Sequence, residues 1–307
     1  MTEREILAAK KPSLILRSSL LQAIRSFFIA EGFLEVQTPV RTPAPAPEPH
    51  IDAIPADGWF LSTSPELYMK RLLAAGYEKI FQLAPAFRRG ECGRLHHPEF
   101  SLLEWYRLNS DYRLLKKDCM NLLQYLCRTV NGSSKVSYKN KWLDVGGDWQ
   151  HFTVRKAFLH FAGWDPLSTA DPERFDLDLV EKIEPRLGFP QPCILSDYPL
   201  FQAALARLKP NEPTVAERFE LYWAGTELAN GFSELTDQRE QRERFLQAME
   251  ERRRDGRIVY PVADSFLESI GHLPPCAGIA LGIDRLVMIF ADADQLDQVV
   301  AFPPEMA

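Results

Sequence analysis

A chain of 307 residues that is 46% hydrophobic can bury one large core or two small ones, and its composition carries no bias toward disorder. Its 36 basic against 42 acidic residues, net −6, exclude a protein that grips nucleic acid by bulk charge, since phosphate contacts need a basic face; a local basic patch stays open. Five scattered cysteines, Cys92, Cys119, Cys127, Cys193 and Cys276, form neither a C-x-x-C pair nor a His/Cys cluster, which predicts buried or idle thiols in a reducing cytoplasm.

At the N-terminus, Met1 to Lys11 mixes charges without an apolar core, and no run approaches the roughly 20 apolar residues of a bilayer span, so neither export nor a membrane segment is expected. Leu16, Leu20, Ala23, Ile24, Phe27 and Phe28 recur at helical spacing, and Gly32 follows where a left-handed cap would sit. An amphipathic helix therefore leads into Phe33-Leu34-Glu35-Val36-Gln37-Thr38-Pro39. Thr42 to Pro49, with four prolines, cannot continue a ladder and reads as a stiff loop or a linker. Ser64-Pro65 opens a short helix through Leu73, ended by Gly76, with proline at the first turn where its missing N–H costs nothing.

Ile80 to Phe87 and Phe100 to Leu108 are rich in branched and aromatic residues and read as two strands around a polar loop. Alternation on the second strand puts Phe100, Leu102, Glu104 and Tyr106 on one face. A ring, a carboxylate and a phenol make a good pocket wall for a base, an amine and a cationic tail, although a surface hairpin fits the same pattern. Asp111 to Asn131 forms a longer helix with Leu115, Cys119, Leu122 and Leu126 on one side. Residues 133–213 carry helical pieces near Thr153 to Phe161 and Phe175 to Leu187 and a short strand Cys193 to Ser196, and read as an insertion or cover within a single domain spanning 1–307.

Arg218 to Trp223 alternates, Ala224-Gly225 can turn the chain, and Thr226 to Leu235 forms the return strand, so Glu220 and Glu227 can meet across the pair. Glu227 and Glu234 are an odd number of residues apart, and a bulge at Asn230-Gly231 is expected to restore a common face. Thr236 to Asp255 is a strongly charged helix, a wet face whose Arg239, Arg242 and Arg244 could also meet an acidic partner. An apolar strand Gly278 to Leu281, a turn at Gly282 and a helix Asp284 to Ala291 close the chain. With strands and helices not in regular βαβ alternation, the expected class is α+β with a mainly antiparallel sheet.

Three segments together resemble the signature motifs of class II aminoacyl-tRNA synthetases: Glu31 to Pro39 is similar to motif 1, Phe87-Arg88 through His96-His97-Pro98-Glu99-Phe100 to motif 2, and Gly278-Ile279-Ala280-Leu281-Gly282-Ile283-Asp284-Arg285 to motif 3. Ser64-Pro65-Glu66, Glu104-x-Tyr106 and Glu227-Leu228-Ala229-Asn230-Gly231-Phe232-Ser233-Glu234 look like the lysyl-tRNA synthetase branch. The match covers the catalytic domain, and with the chain starting one helix before motif 1, no anticodon-binding domain and no tRNA anticodon recognition are expected. That feature, with Ala280 where the synthetases carry glycine, resembles the elongation factor P–(R)-β-lysine ligase family, paralogues of lysyl-tRNA synthetase.

The resemblance implies an ATP-dependent ligase using Mg²⁺, which activates lysine, preferably (R)-β-lysine, as an adenylate and hands it to a lysine of elongation factor P; the alternatives are a minimal lysyl-tRNA synthetase-like enzyme that charges an RNA and a catalytically silent amino-acid-binding paralogue. It implies a homodimer through motif 1. Arg88 would bridge the amino-acid carboxylate and the α-phosphate, and Arg285 would hold the γ-phosphate. Phe100 would stack on adenine beneath His96 and His97, with Leu228 and Gly282 also at the nucleotide. Glu220 and Glu227 would hold Mg²⁺, although a solvated strand carboxylate fits Glu220 equally well on spacing alone. Glu66 and Glu104 would receive the amino group, with Ser64 and Pro65 beside them at the substrate, Glu234 and Tyr106 the distal ammonium, and Asn230 the carboxylate, with Ala280 altering the pocket floor. For Arg285 a packing cap at a helix start is the alternative, but a cation there opposes the helix dipole, which favours an anionic ligand nearby. The family's motif 2 runs R-x-E, whereas position 90 is Gly90 with Glu91 beside it, so Glu91 or a water would take over the adenine-side contact.

Overall fold

The computed structural model describes residues 2–306 and joins the strand-forming runs into a nine-stranded sheet. Its order is Leu34–Glu35, Lys79–Phe87, Glu99–Leu108, Cys276–Gly282, Thr226–Ser233, Glu212–Trp223, Cys193–Pro199 and Gln150–Thr153, with Leu208–Lys209 paired to Glu212–Trp223. Only Leu34–Glu35 on Lys79–Phe87 and Gln150–Thr153 on Cys193–Pro199 run parallel; the other pairs are antiparallel, as the α+β reading requires.

Period-two alternation sorts the sheet into a dry face and a polar face. Leu103, Trp105, Ile279 and Leu281 point to the dry side and pack against helices Glu3–Ala30, Tyr112–Asn131 and Ile283–Phe290. Phe28 stacks on Phe81 with ring centroids 4.9 Å apart, and each such fully buried phenylalanine is worth about 1.5–3 kcal/mol. The intervening residues Phe100, Glu104, Gly278 and Ala280 face the other way and line a cavity.

Helix Glu3–Ala30 starts earlier than the apolar spacing indicates, because Thr2 and Glu5 form a reciprocal capping box. By length and composition alone this helix is long and apolar enough to cross a bilayer. Its stripe of Leu20, Ala23, Ile24, Phe27 and Phe28 is buried in the core instead, and Arg17 pairs with Asp284 at the start of Ile283–Phe290. Ile15, Ile29, Leu34 and Val40, along this helix and the motif 1 segment, are left exposed.

The hairpin Glu212–Trp223 and Thr226–Ser233 turns through Ala224 and Gly225, both at positive φ, as a two-residue turn between twisted strands demands. Its bulge corrects the sequence expectation. Leu221 pairs with Ala229 and Tyr222 with Glu227, so Leu228 is the extra residue, while Asn230 and Gly231 stay in register. Gly231 is there for packing: a Cβ would meet Ile279 and Phe219 at 2.9 Å. Of residues 133–213, Gln150–Thr153 and Cys193–Pro199 extend the main sheet, and helix Val154–Phe161 packs a second small core around Phe158, Phe175 and Tyr198.

Candidate active site

The polar face opens into a cavity of about 330 Å³ walled by residues of Glu99–Leu108, Thr226–Ser233 and Cys276–Gly282, with Arg218 of Glu212–Trp223 beside them. Gly90, at φ +81°, reverses the loop after Phe87 and turns Glu91 into the cavity, 3.8 Å from Arg88. Glu91, one residue later than the family pattern, is therefore the loop carboxylate at the site. Arg88 lies over the Phe100 ring at 5.0 Å, and its buried Nε has no hydrogen-bond partner among the described residues. A guanidinium at the cavity wall with a donor left over fits an anion.

Arg285, on the first turn of Ile283–Phe290, donates to the Glu227 carbonyl at 2.8 Å and lies 3.3 Å from Glu227 Oε2. It also lies 2.7 Å from His96 Nε2 and donates to the Leu95 carbonyl, tying the motif 2 loop to motif 3. Burial and the Arg285 charge hold the His96 imidazole below its ordinary pKa, so it is a neutral acceptor. His97 also borders the cavity but spends its Nε2 on Asp297 at 2.8 Å, which anchors the loop.

At the opposite end Glu104 accepts from Ser64 Oγ at 2.6 Å and from Tyr106 Oη at 2.8 Å. Burial, with the nearby Glu66 charge, pushes its carboxyl up to about 7. Lys70, one helical turn after Glu66, pairs with Glu66 at 2.5 Å and with Glu234. Burial raises Glu234 to about 8 against the pull of Lys70. Apart from that ion pair neither Glu234 oxygen has a partner among the described residues. Gly278 creates the room: a Cβ there would collide with the Tyr106 ring and Glu234 Oε1.

Fifteen of the residues singled out from sequence border this one cavity: Ser64, Glu66, Arg88, Glu91, His96, His97, Phe100, Glu104, Tyr106, Glu227, Leu228, Asn230, Ala280, Gly282 and Arg285. Pro65 caps the helix beside it, and Glu234 sits one layer behind Gly278. Glu220 does not reach the wall. Tyr198 and Tyr222 donate to its Oε2 at 2.5 and 2.6 Å and Arg218 to its Oε1 at 2.7 Å. Among the described residues no three His, Cys, Asp or Glu side chains cluster to hold a metal ion. For a divalent cation that shares phosphate oxygens, Glu227 at the cavity wall fits and Glu220, saturated with donors, fits poorly.

Several site residues escaped the sequence. Arg218 faces the cavity and donates to Asn230 Oδ1 at 3.2 Å, and the alternation of Arg218, Glu220 and Tyr222 was the available signal. Lys70 follows Glu66 at helical spacing, which was a signal too. Glu48, raised by burial, borders the cavity from the proline-rich loop, and Glu184, raised by burial to about 7, accepts from Tyr222; neither belongs to a periodic pattern.

Residues 8–306 match the family described as tRNA synthetases class II (D, K and N). The chain is also similar to proteins named elongation factor P–(R)-β-lysine ligase. It is 37% identical to the one from Hamiltonella defensa over 96% of both chains, and 38% to the one from Vibrio cholerae over 94% of both. The protein of that name from Pectobacterium carotovorum is 39% identical, over 98% of this chain and 97% of its own.

Proposed function

This chain belongs to the class II tRNA synthetase family of ATP-dependent ligases, and on that premise we propose that it activates lysine, with a preference for (R)-β-lysine, and transfers it to a lysine side chain of elongation factor P. One observation carries the substrate reading: a single cavity has guanidinium groups at one end and the carboxylates Glu66 and Glu104 at the other, with Glu234 directly behind its wall. ATP and a carboxylate suit the first end, and a diamine suits the second.

The first step joins the amino-acid carboxylate to the α-phosphorus of ATP and releases pyrophosphate, giving an acyl-adenylate. Arg88, with an unsatisfied N–H, holds the two anions together, so the chemistry is mostly positioning and electrostatics. One face of Phe100 is covered by Arg88, which leaves the other for the adenine ring. Glu227 at the cavity wall would hold Mg²⁺, which would supply positive charge to the phosphate oxygens. In the second step an acceptor lysine amine attacks the acyl carbon and AMP leaves.

Ala280 supports the β-lysine preference. It pairs with Asn230 on one side and Glu104 on the other, so its methyl lies between the group assigned to the carboxylate and the group assigned to the amine. A shorter carboxylate-to-amine distance is disfavoured there. The exposed Ile15, Ile29, Leu34 and Val40 support a homodimer about motif 1. We assign the protein to a reducing cytoplasm, which its free and mostly buried cysteines suit. ATP–pyrophosphate exchange with (R)-β-lysine and α-lysine, followed by labelled transfer to purified elongation factor P or tRNA, tests the reading. Label on tRNA and none on the factor would overturn it.

A further inference from the structure

Lys70 is a fully buried cation behind the wall of the amine end, and the two-step reaction does not use it. Its ammonium pairs with Glu66 at 2.5 Å and with Glu234, and it lies 5.3 Å from the centre of the Phe232 ring. Burial alone pulls a lysine down, but these carboxylates outweigh it and hold Lys70 above its ordinary value, so it stays charged. The other groups facing this cluster are Glu104 and Tyr106 from the neighbouring strand, Cys276 from the next, and Arg88 and Glu48 farther along the cavity.

Resting on the diamino-acid reading above, we propose that Lys70 is a built-in third ammonium. It positions Glu66 and Glu234, and when Glu66, Glu104 and Glu234 are all ionised they exceed it by two charges, a match for the two ammonium groups of the substrate. The ion pair places Lys70 on Glu234 Oε2, while Oε1 occupies the space that glycine at 278 leaves beside the Tyr106 ring. A single amine would leave one buried charge uncompensated, which costs more than the amine gains. Without Lys70, Glu104 and Glu234 would hold their protons to still higher pH, and an incoming ammonium would have to displace more of them.

That last consequence separates positioning from mere support of the fold. Lys70→Met should raise the KM for lysine or (R)-β-lysine by at least about tenfold at pH 7, with the KM for ATP changed by less than about threefold. Because the extra proton leaves at higher pH, the KM-versus-pH curve should move up by about one unit, and the gap to wild type should narrow by about pH 9. Lys70→Arg, which keeps the charge, should retain the wild-type pH dependence. A Lys70→Met loss of equal size at every pH, or a Lys70→Arg variant that behaves like Lys70→Met, would overturn the proposal.

Should neither variant fold, calorimetry on the wild-type protein in buffers of different ionisation enthalpy counts protons instead. Lysine should expel protons near pH 7 and norleucine, which lacks the distal ammonium, fewer; equal counts would overturn the proposal. Wild-type protein that gives no pyrophosphate exchange with either diamino acid would overturn the underlying reading, and this one with it. Normal exchange with an unshifted Lys70→Met profile would sink this one alone.

Discussion

Gly278→Ala offers the sharpest probe of the amine end. A methyl group at this position would overlap the Tyr106 ring and Glu234 Oε1, both fully buried and held by neighbours that cannot retreat. Overpacking of this kind costs about 1–3 kcal/mol, and occasionally more. Moving the ring also breaks the 2.8 Å bond from Tyr106 to Glu104, and a hydrogen bond to a charged group is worth about 1.5–3 kcal/mol. At about 1.4 kcal/mol per factor of ten, the KM for the amino acid should rise about 10- to 100-fold. Thermal unfolding should drop by several degrees, on the order of 2–4 °C per kcal/mol for domains of 150–250 residues and somewhat less for a larger chain. The KM for ATP should change by less than about threefold, since Arg88 and Phe100 lie on other segments of the wall. Pyrophosphate exchange at varied amino acid and varied ATP reads both values. A folded Gly278→Ala variant with an unchanged amino-acid KM, or with ATP and amino acid impaired alike, would refute the placement of the amine end.

Protonation gives a second outcome. Glu104 and Glu234 are held at about 7 and about 8 against an ordinary value of 4.5, so between those values the folded protein binds more protons than the unfolded chain. Their contribution to the stability of the free protein therefore falls as pH rises through that window, while a diammonium ligand favours the ionised carboxylates. The melting-temperature gain from lysine should grow from pH 6 to pH 8.5, and a constant or shrinking gain would count against it. Arg88→Lys should cut exchange about 10²- to 10³-fold, the usual loss when one preorganised donor to developing charge is removed, with little change in melting temperature because Arg88 makes few protein contacts. Arg252→Met should destabilise by about 3–5 kcal/mol in denaturant unfolding, since this fully buried guanidinium pairs with Asp52 and ties the Glu48 and Ile51 carbonyls of the proline-rich loop to helix Gln238–Arg254.

Most of the elements and most of the cavity wall were legible in the residues alone. Strand alternation at Phe100, Glu104 and Tyr106, the helix Tyr112–Asn131 behind its Asp111 cap, and the hairpin around Ala224-Gly225 are local, because side-chain period and turn chemistry are fixed by near neighbours. Motif resemblance then joined Arg88 and Arg285, far apart in the chain, at one site. Tertiary structure decided how each polar group spends its bonds. Glu220 carries the same carboxylate as Glu227, yet Tyr198, from a strand in the least decipherable segment, helps close it off while Glu227 stays at the wall. The bulge sits at Leu228 rather than Asn230-Gly231 because Gly231 is needed where Ile279 and Phe219 converge from other strands. Lys70 looks like any charged residue one turn after a glutamate until the fold brings Glu234 to its other side and removes water from all three. Burial and partners across the sheet depend on contacts distant in sequence, and those are what convert an ordinary charge into part of a binding site.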